Sequence, residues 1–215
     1  MSERPRYPRG GQALLVVDVQ NDFCPGGALA VSSGDEIVPI LNRYIKMFER
    51  GHLPIYLSRD WHPRETRHFR EFGGRWPAHC VQESVGAAFH PALAIPADAQ
   101  VISKGTSPDD EGYSAFDGRD ATGTSLADSL VRYGARTLYV AGLATEYCVR
   151  ASVLDAIAHG LRVVLLVDAI RPLDPDDGLR AIDEMRLAGA RVATLDEVGR
   201  AIDDPSMLTE ARSAP

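Results

Sequence analysis

The chain has 215 residues, of which 45% are hydrophobic and 25% charged, and its formal net charge is -7. This length and composition are typical of one globular domain whose core is large enough to need no disulfides. The acidic balance and the scattered Lys and Arg residues argue against a nucleic-acid-binding surface.

Six short and nearly all-apolar runs predict β-strands. Continuous apolar runs of four to seven residues are typical of strands that are covered on both faces. In chain order, the predicted strands are residues 13–19, 54–58, 100–103, 137–141, 162–167 and 191–194.

Amphipathic stretches between these runs predict helices over residues 35–49, 124–133, 146–158 and 175–187. The second begins at Thr124, a residue type that is suited to cap a helix. The fourth starts with proline and acidic residues and ends before glycine, as helices commonly do. The alternation predicts an α/β fold with a parallel sheet and helices on both faces.

The organisation is that of a single domain over residues 1–215, with loosely ordered tails at 1–11 and 203–215. The irregular segments 24–34, 59–96 and 105–123 are long for a compact domain, and such segments are often functional.

Targeting and redox features are consistent with a cytoplasmic protein. No apolar run approaches the ~20 residues that span a bilayer, and the first residues lack the apolar region of a secretory signal. Cys24, Cys80 and Cys148 are an odd number of cysteines at wide spacing, which fits reduced thiols better than a disulfide framework.

The segment 58–80 contains three of the six histidines and an aspartate two residues before the first of them. Asp60, His62, His68 and His79 offer one carboxylate and up to three imidazoles, a ligand set suited to Zn, Fe or Mn. The segment follows a predicted strand, where sites in α/β proteins usually lie. The alternative is a set of exposed loop histidines.

Three further polar residues lie at or just past the ends of predicted strands. In a parallel sheet, Asp18, Lys104 and Cys148 would share one edge with the Asp60 loop. Their ordinary alternatives are a turn or cap residue, a surface lysine and a small core residue. Because Cys148 begins a predicted helix and Lys104 is expected nearby, we expect the pKa of its thiol to be lowered. With Asp18 to hold or accept the thiol proton, the three would form an activated nucleophile.

The turn before Cys148 has to bend sharply from a strand into a helix, which can direct backbone N–H groups inward. The N–H groups of Ala144 and Cys148 are therefore candidates for an oxyanion hole. The alternative is an ordinary strand-to-helix turn.

Six segments, in the same order and with sensible gaps, resemble the nicotinamidase/pyrazinamidase family of the isochorismatase-like cysteine hydrolases. They lie between residues 16 and 149 and read VVDVQNDFCPGGALAV, SRDWHP, WPAHCV, ISKGT, YSAF and GLATEYCV. The resemblance implies a Rossmann-like, doubly wound fold with a six-stranded, mainly parallel sheet. It also implies hydrolysis of nicotinamide to nicotinate and ammonia, and of pyrazinamide to pyrazinoate, through a cysteine thioester in NAD salvage.

The same resemblance assigns site residues. It implies a catalytic triad, one divalent metal ion, a cis Leu143–Ala144 peptide that turns the Ala144 N–H into the oxyanion hole, and an aromatic substrate pocket. His68 is either a fourth metal ligand or a neighbour of the ligands. The implied triad is Asp18, Lys104 and Cys148, the implied metal ligands are Asp60, His62 and His79, and the implied pocket aromatics are Phe23, Trp76 and Tyr113.

Several alternatives remain open. Ordinary core positions are the alternative for the three aromatics. Another amidase of the superfamily, acting on carbamoyl or ureido amides, would share the triad, although many such enzymes lack the Asp-x-His loop. An isochorismatase-type cleavage is disfavoured by the metal residues and the cysteine, and a redox role by the lack of a second cysteine nearby in sequence. A non-catalytic metal-binding domain on the same fold is the alternative from another class.

Tyr147 departs from relatives that have His before the nucleophile, and a homo-oligomer is left open.

Overall fold

A computed structural model describes residues 11–203 and gathers the apolar runs into one sheet of six parallel strands. The spatial order is β3-β2-β1-β4-β5-β6, so the sheet grows outward in both directions from β1 and β4. This is the doubly wound arrangement expected of a Rossmann-like fold, and the predicted fold class is confirmed. The strands are β1 Gln12–Val17, β2 Ile55–Asp60, β3 Gln100–Lys104, β4 Thr137–Leu143, β5 Arg162–Arg171 and β6 Arg191–Ala193.

Helices cover both faces of the sheet because successive strand side chains point in opposite directions. Leu14 and Val16 of β1 pack with the first and last helices, whereas Leu15 and Val17 pack with the other three. Within the described range the helices are α1 Val38–Arg50, α2 Leu126–Tyr133, α3 Arg150–Ala158, α4 Pro175–Leu187 and α5 Leu195–Asp203.

Helix starts differ from the predictions where local hydrogen bonds compete. Helix α2 is capped by Ser125, whose Oγ accepts the Asp128 N–H at 3.1 Å, and not by Thr124. Thr124 is instead engaged by a turn in which its N–H donates to Asp120 Oδ1 at 2.9 Å. Residues Thr145–Val149 form a wider π-helical turn, so α3 begins at Arg150 and not at position 146.

The other helices follow the sequence pattern to different degrees. Helix α4 has the predicted bounds and is capped by Asp174, whose Oδ1 accepts two backbone N–H groups at 3.0 Å. A 3-10 turn, Gly34–Ile37, replaces the predicted start of α1. Helix α5 was not predicted.

The expectation of loosely ordered tails falls largely outside the described residues. At the inner limits of those tails, Gly11 accepts the N–H groups of Arg136 and Thr137, and Asp203 ends α5. The single domain over residues 1–215 stays a prediction. No helix in the described part combines the length and apolar character that a membrane crossing requires.

Candidate active site and metal centre

Four polar residues meet at the carboxyl edge of the central strands. Asp18 follows β1, Asp60 ends β2, Lys104 ends β3, and Cys148 lies in the turn after β4. Parallel strands deliver their carboxyl ends to the same edge, and the strand order reverses between β1 and β4. The fold therefore brings together residues that are up to 130 positions apart in the chain.

Lys104 is the centre of this cluster. Its Nζ lies 2.8 Å from Asp18 Oδ2, contacts Asp60 Oδ1, and donates to the Gly112 carbonyl oxygen at 2.6 Å. It also lies 3.4 Å from Cys148 Sγ. Asp18 and Lys104 are only 0% and 1% exposed, and buried charges are tolerated only when they are paired in this way.

The charges of the cluster follow from burial and from these contacts. Burial favours the neutral form of Lys104, but Asp18 and Asp60 outweigh it and raise the pKa of the ammonium well above its usual value. Burial likewise favours protonated Asp60, but the Lys104 ammonium holds the pKa of that carboxyl well below its usual value. The resting cluster thus contains a charged Lys104–Asp60 pair.

Cys148 behaves differently from the sequence expectation. Burial raises the pKa of the Cys148 thiol well above its usual value, and Lys104 opposes this only in part. The pKa of Asp18 is also raised, first by burial and then by the charge of Asp60. The predicted lowering of the thiol pKa was wrong for the resting site, because desolvation in this closed cluster outweighs the nearby cation. A neutral thiol thus lies beside a carboxyl group whose pKa is raised above its usual value.

Two buried residues that the sequence analysis did not single out hold the carboxylates. Ser58 Oγ donates to Asp18 Oδ1 at 2.7 Å, and the Ser58 carbonyl accepts the Asp18 N–H at 3.2 Å. The side-chain amide of Gln20 donates to the carbonyl of Asp60 and accepts its N–H, both at 2.8 Å. A polar residue inside or beside an apolar strand is the signal that could have identified both.

A metal-binding geometry lies next to the Lys104 cluster. Asp60 Oδ2 is 3.5 Å from His62 Nε2 and 3.7 Å from His79 Nε2. The opposite ring nitrogens of these histidines face carbonyl oxygens, of Gly105 at 3.1 Å and of Pro77 at 2.7 Å. Because a carbonyl can only accept, each Nδ1 carries the proton and each Nε2 lone pair is directed toward Asp60.

His68 completes the set. The ligand atoms of His62, His68 and His79 all lie within 4.8 Å of one another. Burial, and then the neighbouring imidazoles, lower the pKa of His68 to about 4, so its ring is neutral at neutral pH. His62 Nε2 is buried and makes no hydrogen bond within the described residues. An orphaned lone pair among convergent imidazoles and a carboxylate fits a divalent cation.

A close approach at Gly105 gives a direct test of this arrangement. Gly105 has φ +63°, and a Cβ there would lie 2.4 Å from His62 Cε1. We expect Gly105→Ala to displace the imidazole and to weaken metal binding by about 10- to 100-fold, measured by metal titration. Gly134→Ala is the matched control, because Gly134 has φ +70° with nothing within 4 Å of its Cβ position. Equal metal affinity in the two variants would contradict the assigned geometry.

A pocket opens beside Cys148 and encloses about 410 Å³ of empty space, including its mouth. All three predicted aromatics, Phe23, Trp76 and Tyr113, line it. The sequence analysis had not identified five further lining residues, Leu29, Val31, Glu111, Gly112 and Leu173. An apolar pocket with a few convergent polar groups at one end is typical of a small-molecule site.

The turn that contains Cys148 has an unusual backbone. The Leu143–Ala144 peptide bond is cis, as the resemblance implied, and both Ala144 and Cys148 line the pocket. A Cβ at Gly142 would lie 2.0 Å from the Val17 carbonyl oxygen, so only glycine permits this approach of β4 to β1. The use of the two N–H groups as an oxyanion hole stays a prediction.

Comparisons with known proteins agree with this site. A family model for the isochorismatase domain matches residues 12–197. Nicotinamidase of Escherichia coli (strain K12) is 42% identical over an alignment of 202 residues, and the match covers 86% of this chain and 95% of that protein. The crystal structure of pyrazinamidase of Pyrococcus horikoshii in complex with zinc is 48% identical, with a TM-score of 0.81 over 86% of this chain and 99% of that one. The structure of PnC1 from L. infantum in complex with nicotinate is 34% identical, with a TM-score of 0.77 over 85% and 92% of the two chains. The chain therefore belongs to the isochorismatase domain family.

Proposed function

We propose that this chain is an amide hydrolase that converts nicotinamide to nicotinate and ammonia, and pyrazinamide to pyrazinoate and ammonia. The observation that carries the proposal is the buried Asp18–Lys104–Cys148 cluster at an aromatic pocket, which is bordered by two of the three histidines that could hold a metal ion. The similarity to nicotinamidase and to a nicotinate complex supports the choice of substrate. We place the reaction in NAD salvage in the cytoplasm, which the three free thiols support.

The pocket suits a flat, neutral heteroaromatic amide. Phe23, Trp76 and Tyr113 offer apolar ring surfaces, and Cys148, His68 and His79 line the same pocket. We propose that the substrate ring contacts the aromatics while its carboxamide lies at Cys148. A divalent ion held by the histidine set and Asp60, whether Zn, Fe or Mn, would supply a Lewis acid that orients the ring nitrogen and holds water.

In the proposed acylation step, Asp18 takes the proton of the Cys148 thiol as Sγ attacks the carbonyl carbon of the amide. The N–H groups of Ala144 and Cys148 stabilise the oxyanion, an effect worth roughly 3–4 kcal/mol per donor in other enzymes. Asp18 then gives its proton to the departing nitrogen. The C–N bond breaks, ammonia leaves, and a thioester remains on Cys148.

In the proposed deacylation step, Asp18 removes a proton from a water molecule, which attacks the thioester carbonyl. The C–S bond breaks, the carboxylic acid product leaves, and Cys148 regains its proton from Asp18. Lys104 remains charged throughout and holds Asp18 and the sulfur in register, since its Nζ lies within 3.4 Å of both.

The decisive experiment is ammonia release from nicotinamide by the purified protein before and after chelation, with add-back of Zn, Fe or Mn. We expect chelation to abolish ammonia release and at least one of these ions to restore it. Among the described residues, the buried histidines form ion pairs only with Asp60, so a bound cation would supply the missing positive charge. The ion that restores turnover identifies the functional metal. A folded, metal-loaded protein that releases no ammonia from nicotinamide, but does so from a carbamoyl or ureido amide, would overturn the proposed substrate.

A further inference from the structure

One exposed side chain contacts two aromatic residues of the pocket without lining the pocket itself. Arg75, in the loop after β2, donates from Nη2 to Tyr147 Oη at 2.8 Å. Its guanidinium carbon lies 4.7 Å from the Trp76 ring centroid and 5.4 Å from the Tyr147 ring centroid. Its own carbonyl accepts Arg70 Nε at 2.9 Å, which restrains the loop. An exposed arginine with this many contacts is unusual for a solvated side chain.

The residues it touches form one wall of the pocket. Trp76, Tyr113 and Tyr147 all line the pocket and come from three separate segments, after β2, β3 and β4. Trp76 Nε1 donates to Tyr113 Oη at 2.9 Å, and the Trp76 and Tyr147 rings meet edge to face at 4.9 Å. Since the three segments are distant in the chain, side-chain contacts determine the position of this wall.

We propose that Arg75 is a specificity-determining positioning residue, which holds Tyr147 against Trp76 and thereby sets the size of ring that the pocket accepts. The inference rests on the proposed function and deepens it. Tyr147 immediately precedes Cys148, so its position also limits how a ring can lie at the nucleophile. Without the guanidinium, the Tyr147 hydroxyl loses its donor and the wall is free to move outward.

The activity test compares nicotinamide with a panel of methylnicotinamides that carry one methyl group at each free ring position. We expect Arg75→Ala to raise KM for nicotinamide and to reduce discrimination against at least one methylated ring by about three- to tenfold. Tyr147→Phe removes the same hydrogen bond and is expected to give the same change. Arg75→Lys retains the charge but lacks the planar fork, so we expect an intermediate result.

A double-mutant cycle separates this contact from independent effects. Because Arg75→Ala and Tyr147→Phe remove one shared interaction, the double variant is expected to discriminate no worse than the poorer single variant. Two outcomes would overturn the proposal. In the first, the effects of the two substitutions on the ratio of kcat/KM values for the two substrates multiply fully in the double variant. In the second, neither single variant changes that ratio.

A second measurement does not depend on the substrate. The chain has two tryptophans, so a Trp61→Phe background leaves Trp76 as the only indole emitter. We expect Arg75→Ala to increase acrylamide quenching of Trp76, and Arg64→Ala, which removes an exposed arginine of the same loop, to leave it unchanged. If the wild-type protein releases no ammonia from nicotinamide, the proposed function fails while increased quenching still supports the positioning role. Unchanged quenching in Arg75→Ala overturns that role whatever the substrate.

Discussion

Replacing Cys148 by alanine is expected to abolish amide hydrolysis, lowering kcat by about 10⁴-fold or more. The sulfur forms the covalent bond to the substrate in the proposed reaction, and no other thiol lines the pocket. The fold and the metal content are expected to persist, because Cys148 is not among the residues of the histidine set. Ammonia release, circular dichroism and metal analysis of the same preparation check the three parts of this prediction.

Cys24→Ala is the matched control. Cys24 is also a buried, free thiol, but it packs in the core on the opposite face of the sheet and does not line the pocket. We expect this variant to lose some stability from the small cavity and to keep its turnover. Turnover like that of the wild type in Cys148→Ala would eliminate the thioester mechanism.

Lys104→Met is expected to lower both activity and stability. The substitution retains most of the apolar length of the side chain but leaves Asp18 and Asp60 without their shared cation. Removing one partner from a buried charge cluster typically costs about 3–5 kcal/mol of unfolding free energy. Because Lys104 also holds Asp18 beside the Cys148 sulfur, we expect a loss of kcat of about 10³-fold, in line with other positioned acid–base groups.

The loss of stability should depend on pH in a defined direction. In the wild-type protein, Lys104 lowers the pKa of Asp60, so this pair contributes stability that is present above the unfolded pKa of the carboxyl and is lost as pH falls. In Lys104→Met, burial raises the pKa values of the Asp18 and Asp60 carboxyls. As pH falls, the folded state therefore binds protons at a higher pH than the unfolded state does. The stability difference between variant and wild type is therefore expected to be larger at about pH 8 than at about pH 5.

Chemical unfolding of the chelated proteins at both pH values measures this difference. Lys46→Met is the control, since Lys46 is the other lysine of the chain and lies exposed on α1. A destabilisation no greater than that of Lys46→Met, or one that increases at lower pH, would contradict the assignment of Lys104 as the buried counter-ion.

Much of this site was predictable because it is built at strand ends. Asp18 interrupts an apolar run and Lys104 ends a strand, and in a parallel sheet the polar residues at such positions share one edge. The spacing of Asp60 and His62 likewise indicated a metal-binding loop, because this pair also lies at the end of a predicted strand. The long irregular segment that contains His79 could be predicted as functional, but its path back to His62 depends on hydrogen bonds such as the His62 N–H to the Cys80 carbonyl at 3.0 Å, which no pattern encodes.

The direction in which the pKa of the Cys148 thiol is shifted shows where prediction from local sequence features failed. A helix start and a nearby lysine both favour a thiolate, and these are features that a sequence displays. Burial against two carboxylates favours the thiol, and the degree of burial follows only from the packing of distant segments. The prediction that Thr124 caps α2 was wrong for a related reason, because the Thr124 N–H donates to Asp120 in a separate turn.

By itself, the sequence pattern determined the chain order of the strands, a parallel sheet with helices on both faces, and the chemical groups at the carboxyl edge, while the family resemblance implied the doubly wound arrangement. Apolar runs and their interruptions report on burial residue by residue, and such information is local. Only the tertiary structure decided the role of Ser58 and Gln20 as supports of the carboxylates, the neutral thiol, and the contact of Arg75 with Tyr147. Each of these depends on a distance between residues far apart in the chain, and a one-dimensional pattern does not specify such distances.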